Sequence, residues 1–182
     1  IFSYTTFIVI CLTYYDSNVN KSDWPEYFSL LLIPLLGMFL MSSSINLLMV
    51  YLAIELVSIP SYMLAGFNFN SKGSNEASLK YVLYGSFASG LMLFGISWLY
   101  GQTGSLYFHD IYNSLLDQTS STTSIITFMM IFVGFGYKIS SAPFHYWVPD
   151  VYQGAPNPIT TFFSIAPKIA GLALLTRFLY TS

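Results

Sequence analysis

Four ionisable residues stand inside long apolar runs of this 182-residue chain: Glu55, Lys80, Lys138 and Lys168. A charge at the centre of a membrane helix costs roughly 2.5–3.5 kcal/mol on insertion scales. Residues kept in such places face a protein interior or a wet cavity and mark ion or proton paths. Glu55 lies nine residues into its apolar helix, roughly 14 Å at about 1.5 Å per residue, close to mid-membrane. Pro60 follows five residues later. Its ring displaces the carbonyl of Leu56, which frees a polar group one turn from the carboxylate and favours local hydration. The structural alternative is an ion pair between helices.

Lys168 follows Pro167 and sits among Phe162, Phe163, Ile165, Ile169 and Leu172. Its helix is expected to be distorted at the proline, and a desolvated lysine can change charge state. Lys138 ends the run Gly134-Phe135-Gly136-Tyr137-Lys138 and is followed by Pro143. The pattern predicts a helix that loosens or breaks, and interrupted helices at membrane depth line cavities. Snorkelling of Lys138 to the interface weighs equally from position alone. Lys80 stands four residues after Glu76, the spacing of an ordinary helical ion pair. His145, in Pro143-Phe144-His145-Tyr146-Trp147, is of the residue type that relays protons near neutral pH, or it caps an interface. His109, beside Asp110, reads as solvated. No metal-ligand spacing, phosphate loop, dinucleotide fingerprint or Ser/His/Asp set is present.

The elements that position these residues follow from composition. The chain is 54% hydrophobic and 8% charged, against about 25% charged in a soluble domain. A soluble chain of this size could not cover so much apolar surface. In a bilayer the backbone must pair internally, and runs without alternation favour helices over a barrel. The fold class is therefore all-α, a polytopic membrane protein of about six transmembrane helices. The predicted spans are 1–15, 27–43, 46–67, 76–100, one from about 124 to Pro143, and 159–180. Loops are expected at 16–26, 68–75 and 102–123, the last carrying Asp110 and Asp117, with a tight turn near Ser42–Asn46. The proline-rich stretch 143–158 is a poor uninterrupted helix.

Trp24, Trp98, Tyr100, Tyr107, Trp147 and Tyr180 suit interfacial anchoring. Lys21 and Lys72 fall on one side of this topology and Arg177 toward the other, which leans the loops 16–26 and 68–75 to the cytoplasmic or matrix side. Net charge is −2 with no basic run, so nothing points to nucleic acid, and the lone Cys11 excludes an internal disulfide. Residues 1–15 lack a basic start and a small-residue cleavage site, and read as a span rather than a signal peptide. The chain opens with Ile, as expected of an incomplete N-terminus or a non-standard start codon.

Several stretches resemble the antiporter-like membrane chains of respiratory complex I, NADH:ubiquinone oxidoreductase, of the chain-2 type. They are Ala53-Ile54-Glu55-Leu56-Val57-Ser58-Ile59-Pro60, Glu76-Ala77-Ser78-Leu79-Lys80-Tyr81, Phe87-Ala88-Ser89-Gly90, Leu99-Tyr100-Gly101-Gln102-Thr103-Gly104 and Gly136-Tyr137-Lys138. The longest runs from Ala142-Pro143-Phe144-His145-Tyr146-Trp147 through Val148-Pro149-Asp150-Val151-Tyr152-Gln153-Gly154-Ala155-Pro156, followed by Ser164-Ile165-Ala166-Pro167-Lys168-Ile169. The resemblance covers about residues 27–180.

It implies that Glu55 pairs with Lys138 of a broken helix, that Lys80 sits near the pair and modulates it, and that His145 belongs to the relay at the break. Lys168 would connect to a central hydrophilic axis. It implies no cofactor in this chain, with NADH, flavin, iron–sulfur clusters and quinone in other subunits. Residues 27–182 would form a five-helix antiporter-like half-module after an N-terminal helix and loop, 1–26. The family has two inverted repeats, so a second chain supplying the missing repeat is expected, unless the sequence is a fragment. Other membrane-arm subunits and lipids are the expected partners. Fifteen Tyr and sixteen Phe, with abundant Ile and Ser, suit an AT-rich organellar genome and the mitochondrial inner membrane. A bacterial plasma membrane or a thylakoid are the alternatives. The competing functions are a stand-alone cation/proton antiporter and a structural, non-pumping remnant.

Overall fold

A computed structural model describes residues 1–15, 21–116 and 122–181. The described elements are α1 (Phe2–Tyr15), a 3₁₀ turn (Lys21–Asp23), α2 (Trp24–Ser43), α3 (Leu47–Ala65), α4 (Lys72–Thr103), α5 (Phe108–Leu116), α6 (Thr122–Ile139), α7 (Trp147–Gly154) and α8 (Asn157–Thr181). Asp117, expected in a loop, lies outside the described residues, as do residues 16–20 of the first loop.

Five helices, α2, α3, α4, α6 and α8, are long and apolar enough to cross a membrane. At 14 residues, α1 spans about 21 Å and falls short of a hydrocarbon core of about 30 Å. The expected six spans are therefore five and one shorter apolar helix. The five pack in sequence, α2 on α3, α3 on α4, α4 on α6 and α6 on α8, and α8 returns to α2 and also meets α3. Helix α1 lies against α2 and α8.

Local chemistry sets the ends. Pro25 opens α2, where its missing N–H costs nothing. The Asn46 side chain caps α3 by accepting from the Leu48 N–H at 2.9 Å. The turn expected near Ser42–Asn46 is present, and residues 45–47 pair with 106–108 through Leu47 N–H to Leu106 O (2.9 Å) and Phe108 N–H to Ile45 O (3.1 Å). Gly104, at φ 71°, closes α4 in the left-handed conformation.

Two stretches expected as loops are helical. Helix α4 starts at Lys72, within the predicted loop 68–75, because Ser71 caps it and the Ser74 and Ser78 hydroxyls donate to the Ala65 and Tyr62 carbonyls of α3 (2.7 and 2.9 Å). These two bonds, one turn apart, tie the start of α4 to the end of α3. The predicted loop 102–123 contains α5, whose Phe108 and Ile111 are buried. Arg177 donates to the Ser43 carbonyl (3.1 Å) at the end of α2 opposite Lys21 and Lys72, as the charge asymmetry predicts.

Helix α8 runs unbroken through Pro167, where a distortion was expected. Of the proposed aromatic anchors, Trp98, Tyr100, Tyr107 and Tyr180 are exposed. Trp147 is not an anchor: it is 3% exposed, inside the protein.

Candidate functional site

Helix α3 carries a polar stripe. Tyr51, Glu55, Ser58 and Tyr62 recur at steps of four, three and four residues, which places them on one face. Glu55 is the ninth residue of nineteen and stands at the middle of the span. It is half-buried, and its Oε1 is enclosed with no hydrogen-bond partner in the protein. Around Pro60, the Ser58 and Ser61 hydroxyls donate to the Ile54 and Val57 carbonyls (2.7 and 2.6 Å).

Helix α6 brings Lys138 to this stripe. Lys138 is 4% exposed, and its ammonium donates to Ser58 Oγ at 3.0 Å. It sits in the last turn of α6, where the partial negative charge of the helix end favours a cation. Snorkelling to the surface is excluded by this burial. The resemblance implied a Glu55–Lys138 pair, but the two form no direct ion pair. Lys138 bonds instead to Ser58, one turn from Glu55.

The helix breaks immediately after Lys138. Ser140 adopts φ 59°, and the Ser140 and Ser141 N–H groups return to the Tyr137 and Gly136 carbonyls (3.1 and 2.9 Å). This double return is a Schellman ending, built here on serine in place of the usual glycine. A left-handed non-glycine residue is strained by about 1–3 kcal/mol and clusters at functional sites. The glycines expected to loosen α6 do not do so. Gly134 and Gly136 stay helical and buried, the first closed against Met92 and the second against Phe144.

Helix α8 supplies Lys168, the twelfth of its 25 residues and half-buried. Its ammonium lies 5.3 Å from the centroid of the Tyr152 ring on α7, a cation–π distance. One turn on, Gly171 lets α8 approach the Lys138 stem. A Cβ there would stand 3.6 Å from Lys138 Cγ and 2.8 Å from Ile139 Cγ2. Gly171→Leu is therefore expected to destabilise the chain by about 1–3 kcal/mol through overpacking, and Gly171→Ala by less. Unfolding in mixed detergent micelles measures the difference, and equal stabilities would contradict the close approach.

An aromatic cluster joins α3, α4, α6, α7 and α8. Tyr81 stacks on Trp147 (4.5 Å between centroids, 14°) and meets Tyr62 and Phe163 edge-on. The Tyr137 hydroxyl donates to the Tyr81 carbonyl at 3.1 Å, and the Tyr62 hydroxyl lies beside Ser58 and Tyr137. Trp147 Nε1, Tyr152 OH and Ser140 Oγ are buried with no hydrogen-bond partner in the protein. Unpartnered buried polar atoms of this kind are the usual positions of bridging water.

Two sequence-predicted residues stand apart. Lys80 bonds to Glu76 (2.7 Å), the expected helical pair, and also to Asp150 of α7 (2.6 Å). It heads an uncharged run from Tyr81 to Thr103 and so marks the edge of the span. The resemblance implied a place beside Glu55 and Lys138. His145 is exposed in the turn after the break, stacked on Tyr146 at 4.8 Å. His109 is exposed and pairs with Asn113. Ser58, Tyr62, Tyr137, Asp150 and Tyr152 were not singled out from the sequence, although the spacing of the α3 stripe carried a signal. Among the described residues, no group of three His, Cys, Asp or Glu could hold a metal ion.

Known proteins resemble this chain in sequence and fold. The chain is 49% identical over 173 residues to NADH-quinone oxidoreductase subunit N 2 of Chloroherpeton thalassium, covering 94% of this chain and 34% of that protein. It is 47% identical over 163 residues to the protein of the same name from Sorangium cellulosum, covering 87% and 32%. The chain thus spans about a third of the length of these relatives. Among solved structures it matches respiratory complex I from Thermus thermophilus with bound aureothin, with a TM-score of 0.74, 37% identity and coverage of 84% and 34%. It also matches the membrane-bound sulfane sulfur reductase, an archaeal respiratory membrane complex, with a TM-score of 0.87, 29% identity and coverage of 99% and 36%. The profile described as "NADH:quinone oxidoreductase/Mrp antiporter, TM" matches residues 44–182, and the chain belongs to that family of membrane proteins.

Proposed function

We propose that the chain forms a proton-translocating half-module in the membrane arm of an NADH:quinone oxidoreductase of the complex I type. One observation carries the reading. Lys138 is buried at a helix break, hydrogen-bonded to Ser58 one turn from Glu55, and packed against α8 one turn from Lys168. Glu55 on α3 and Lys168 on α8 each stand one turn from a residue that approaches Lys138, and buried polar atoms of the kind that hold water lie at the break and on α7. A proton held on Lys138 can be exchanged toward Glu55 through the Ser58 face, or toward Lys168 past the aromatic cluster. Charge on one group sets the cost of charge on the next.

In this proposal, redox chemistry occurs elsewhere, with NADH, flavin, iron–sulfur clusters and quinone in other subunits. A second repeat, carried by another polypeptide or by a further part of the same one, completes the path. Other membrane-arm subunits and lipids surround it, and His145 takes part in the relay at the break. The membrane is proposed to be the mitochondrial inner membrane on compositional grounds; the relatives named above are bacterial.

Glu55→Gln in the intact complex tests the proposal. Proton uptake into sealed vesicles driven by NADH is expected to fall by about tenfold, roughly 1.4 kcal/mol of lost coupling. Unchanged protons per NADH in a fully assembled complex would reject it. The family description and the sulfane sulfur reductase match favour a second reading, an ion-translocating module coupled to another reaction. Cation/proton exchange by the purified protein without NADH or quinone would favour that reading instead.

A further inference from the structure

Helix α7 has eight residues, too few to hold its own conformation or place in isolation. Its neighbours decide where it sits, and they belong mainly to α4. Asp150 pairs with Lys80, which also holds Glu76. Gly154 closes on the Gly73 carbonyl, where a Cβ would collide. Trp147 stacks on Tyr81. A cavity of about 280 Å³ opens beside the ion pair, bordered by Gly73, Glu76, Lys80, Asp150 and Gln153.

The opposite face of α7 reaches α8. Asp150 and Tyr152 are two residues apart, a rotation of about 200° on a helix. With Asp150 turned to Lys80, Tyr152 is turned to Lys168. A rotation of α7 that releases Asp150 must therefore carry the Tyr152 ring away from the Lys168 ammonium. We infer that Asp150 is a positioning residue that, through its ion pair with Lys80, holds α7 so that Tyr152 stays against Lys168.

The inference rests on the proposed translocation role of Lys168. The Lys80 and Asp150 side chains are 36% and 49% exposed. Surface ion pairs add little to stability, so the pair acts on geometry and its loss leaves a folded chain. Lys80 thereby acts on the buried site from the membrane edge, without touching Glu55 or Lys138.

The test uses the intact membrane complex with Asp150→Asn, with the exchanged pair Lys80→Asp/Asp150→Lys, and with Lys138→Met as reference. Backbone hydrogen exchange over residues 143–156 and NADH-driven proton uptake are both read. Asp150→Asn is expected to speed exchange across α7 and to lower uptake about threefold, in the range by which packed networks modulate coupling. The exchanged pair restores both, which a requirement for aspartate itself would not allow. Unchanged exchange in Asp150→Asn overturns the inference. So does unchanged uptake beside an inactive Lys138→Met, or an exchanged pair that restores neither readout. Normal uptake in Lys138→Met rejects the translocation reading instead, while the exchange data still report on the ion pair.

Discussion

Lys138→Met is expected to reduce NADH-driven proton uptake by about a hundredfold, the low end of what a positioned proton-transfer group contributes. The fold should survive the change. Methionine has a similar length and no branch, and it fills irregular space readily. The lost hydrogen bond orphans no donor, because the Ser58 proton is already given to the Ile54 carbonyl at 2.7 Å. What disappears is the exchangeable charge between Glu55 and α8. Lys138→Arg separates two explanations. A guanidinium stays protonated at any working pH, so it keeps the cation but cannot pass a proton on. If Lys138 must release its proton, Arg is as inactive as Met in sealed vesicles. Substantial uptake with Arg would reduce Lys138 to a fixed positive charge.

Much of this site was legible in the sequence because charge is costly in lipid. Glu55, Lys138 and Lys168 stand out in a chain with 8% charged residues, and the fold buries Lys138 and half-buries the other two. The partners were not legible. Ser58, Tyr62 and Tyr137 are ordinary membrane-helix residues until α3 and α6 are placed side by side. Asp150 stood only as one residue of the longest family-like stretch, and only the fold brings it to Lys80, seventy positions away in sequence. Lys80 shows the same limit from the other side. Its i,i+4 spacing correctly announced Glu76, but no spacing rule reports a tertiary partner.

The spans themselves followed from hydropathy, which identifies a length of apolar chain and not where a helix is capped. Polarity made 68–75 and 102–123 resemble loops. Ser71 and Ser74 instead begin α4, their hydroxyls spent on the helix N-terminus and on α3, while Phe108 and Ile111 bury one face of α5. The break in α6 was anticipated from Gly134, Gly136 and Pro143, yet it is made at Ser140. A left-handed serine leaves no compositional mark, whereas the glycines serve close packing. Trp147 misled for a related reason. A tryptophan beside prolines near a helix end suits an interface, and only the returning α7 places it inside.

Trp147→Ala is expected to give the largest loss of stability, about 3–5 kcal/mol. The indole is 3% exposed, stacks on Tyr81 at 4.5 Å, and meets Tyr137 at 5.2 Å and Tyr152 at 6.3 Å. Alanine leaves a space that α4, α6 and α7 cannot close together, because Gly154 already holds α7 in backbone contact with α4. Trp147→Phe distinguishes packing from polarity. Phenylalanine keeps a ring against Tyr81, and aromatic pairs add about 0.5–1.5 kcal/mol beyond area. It also removes an N–H that has no partner in the protein, so no bond to another residue is lost. Phe should therefore cost less than about 1.5 kcal/mol. Unfolding of the purified protein in mixed micelles compares the two. Equal losses for Phe and Ala would show that the indole N–H, through water it holds, matters more than the stack. The buried polar atoms around α7 would then hold water that stabilises the fold.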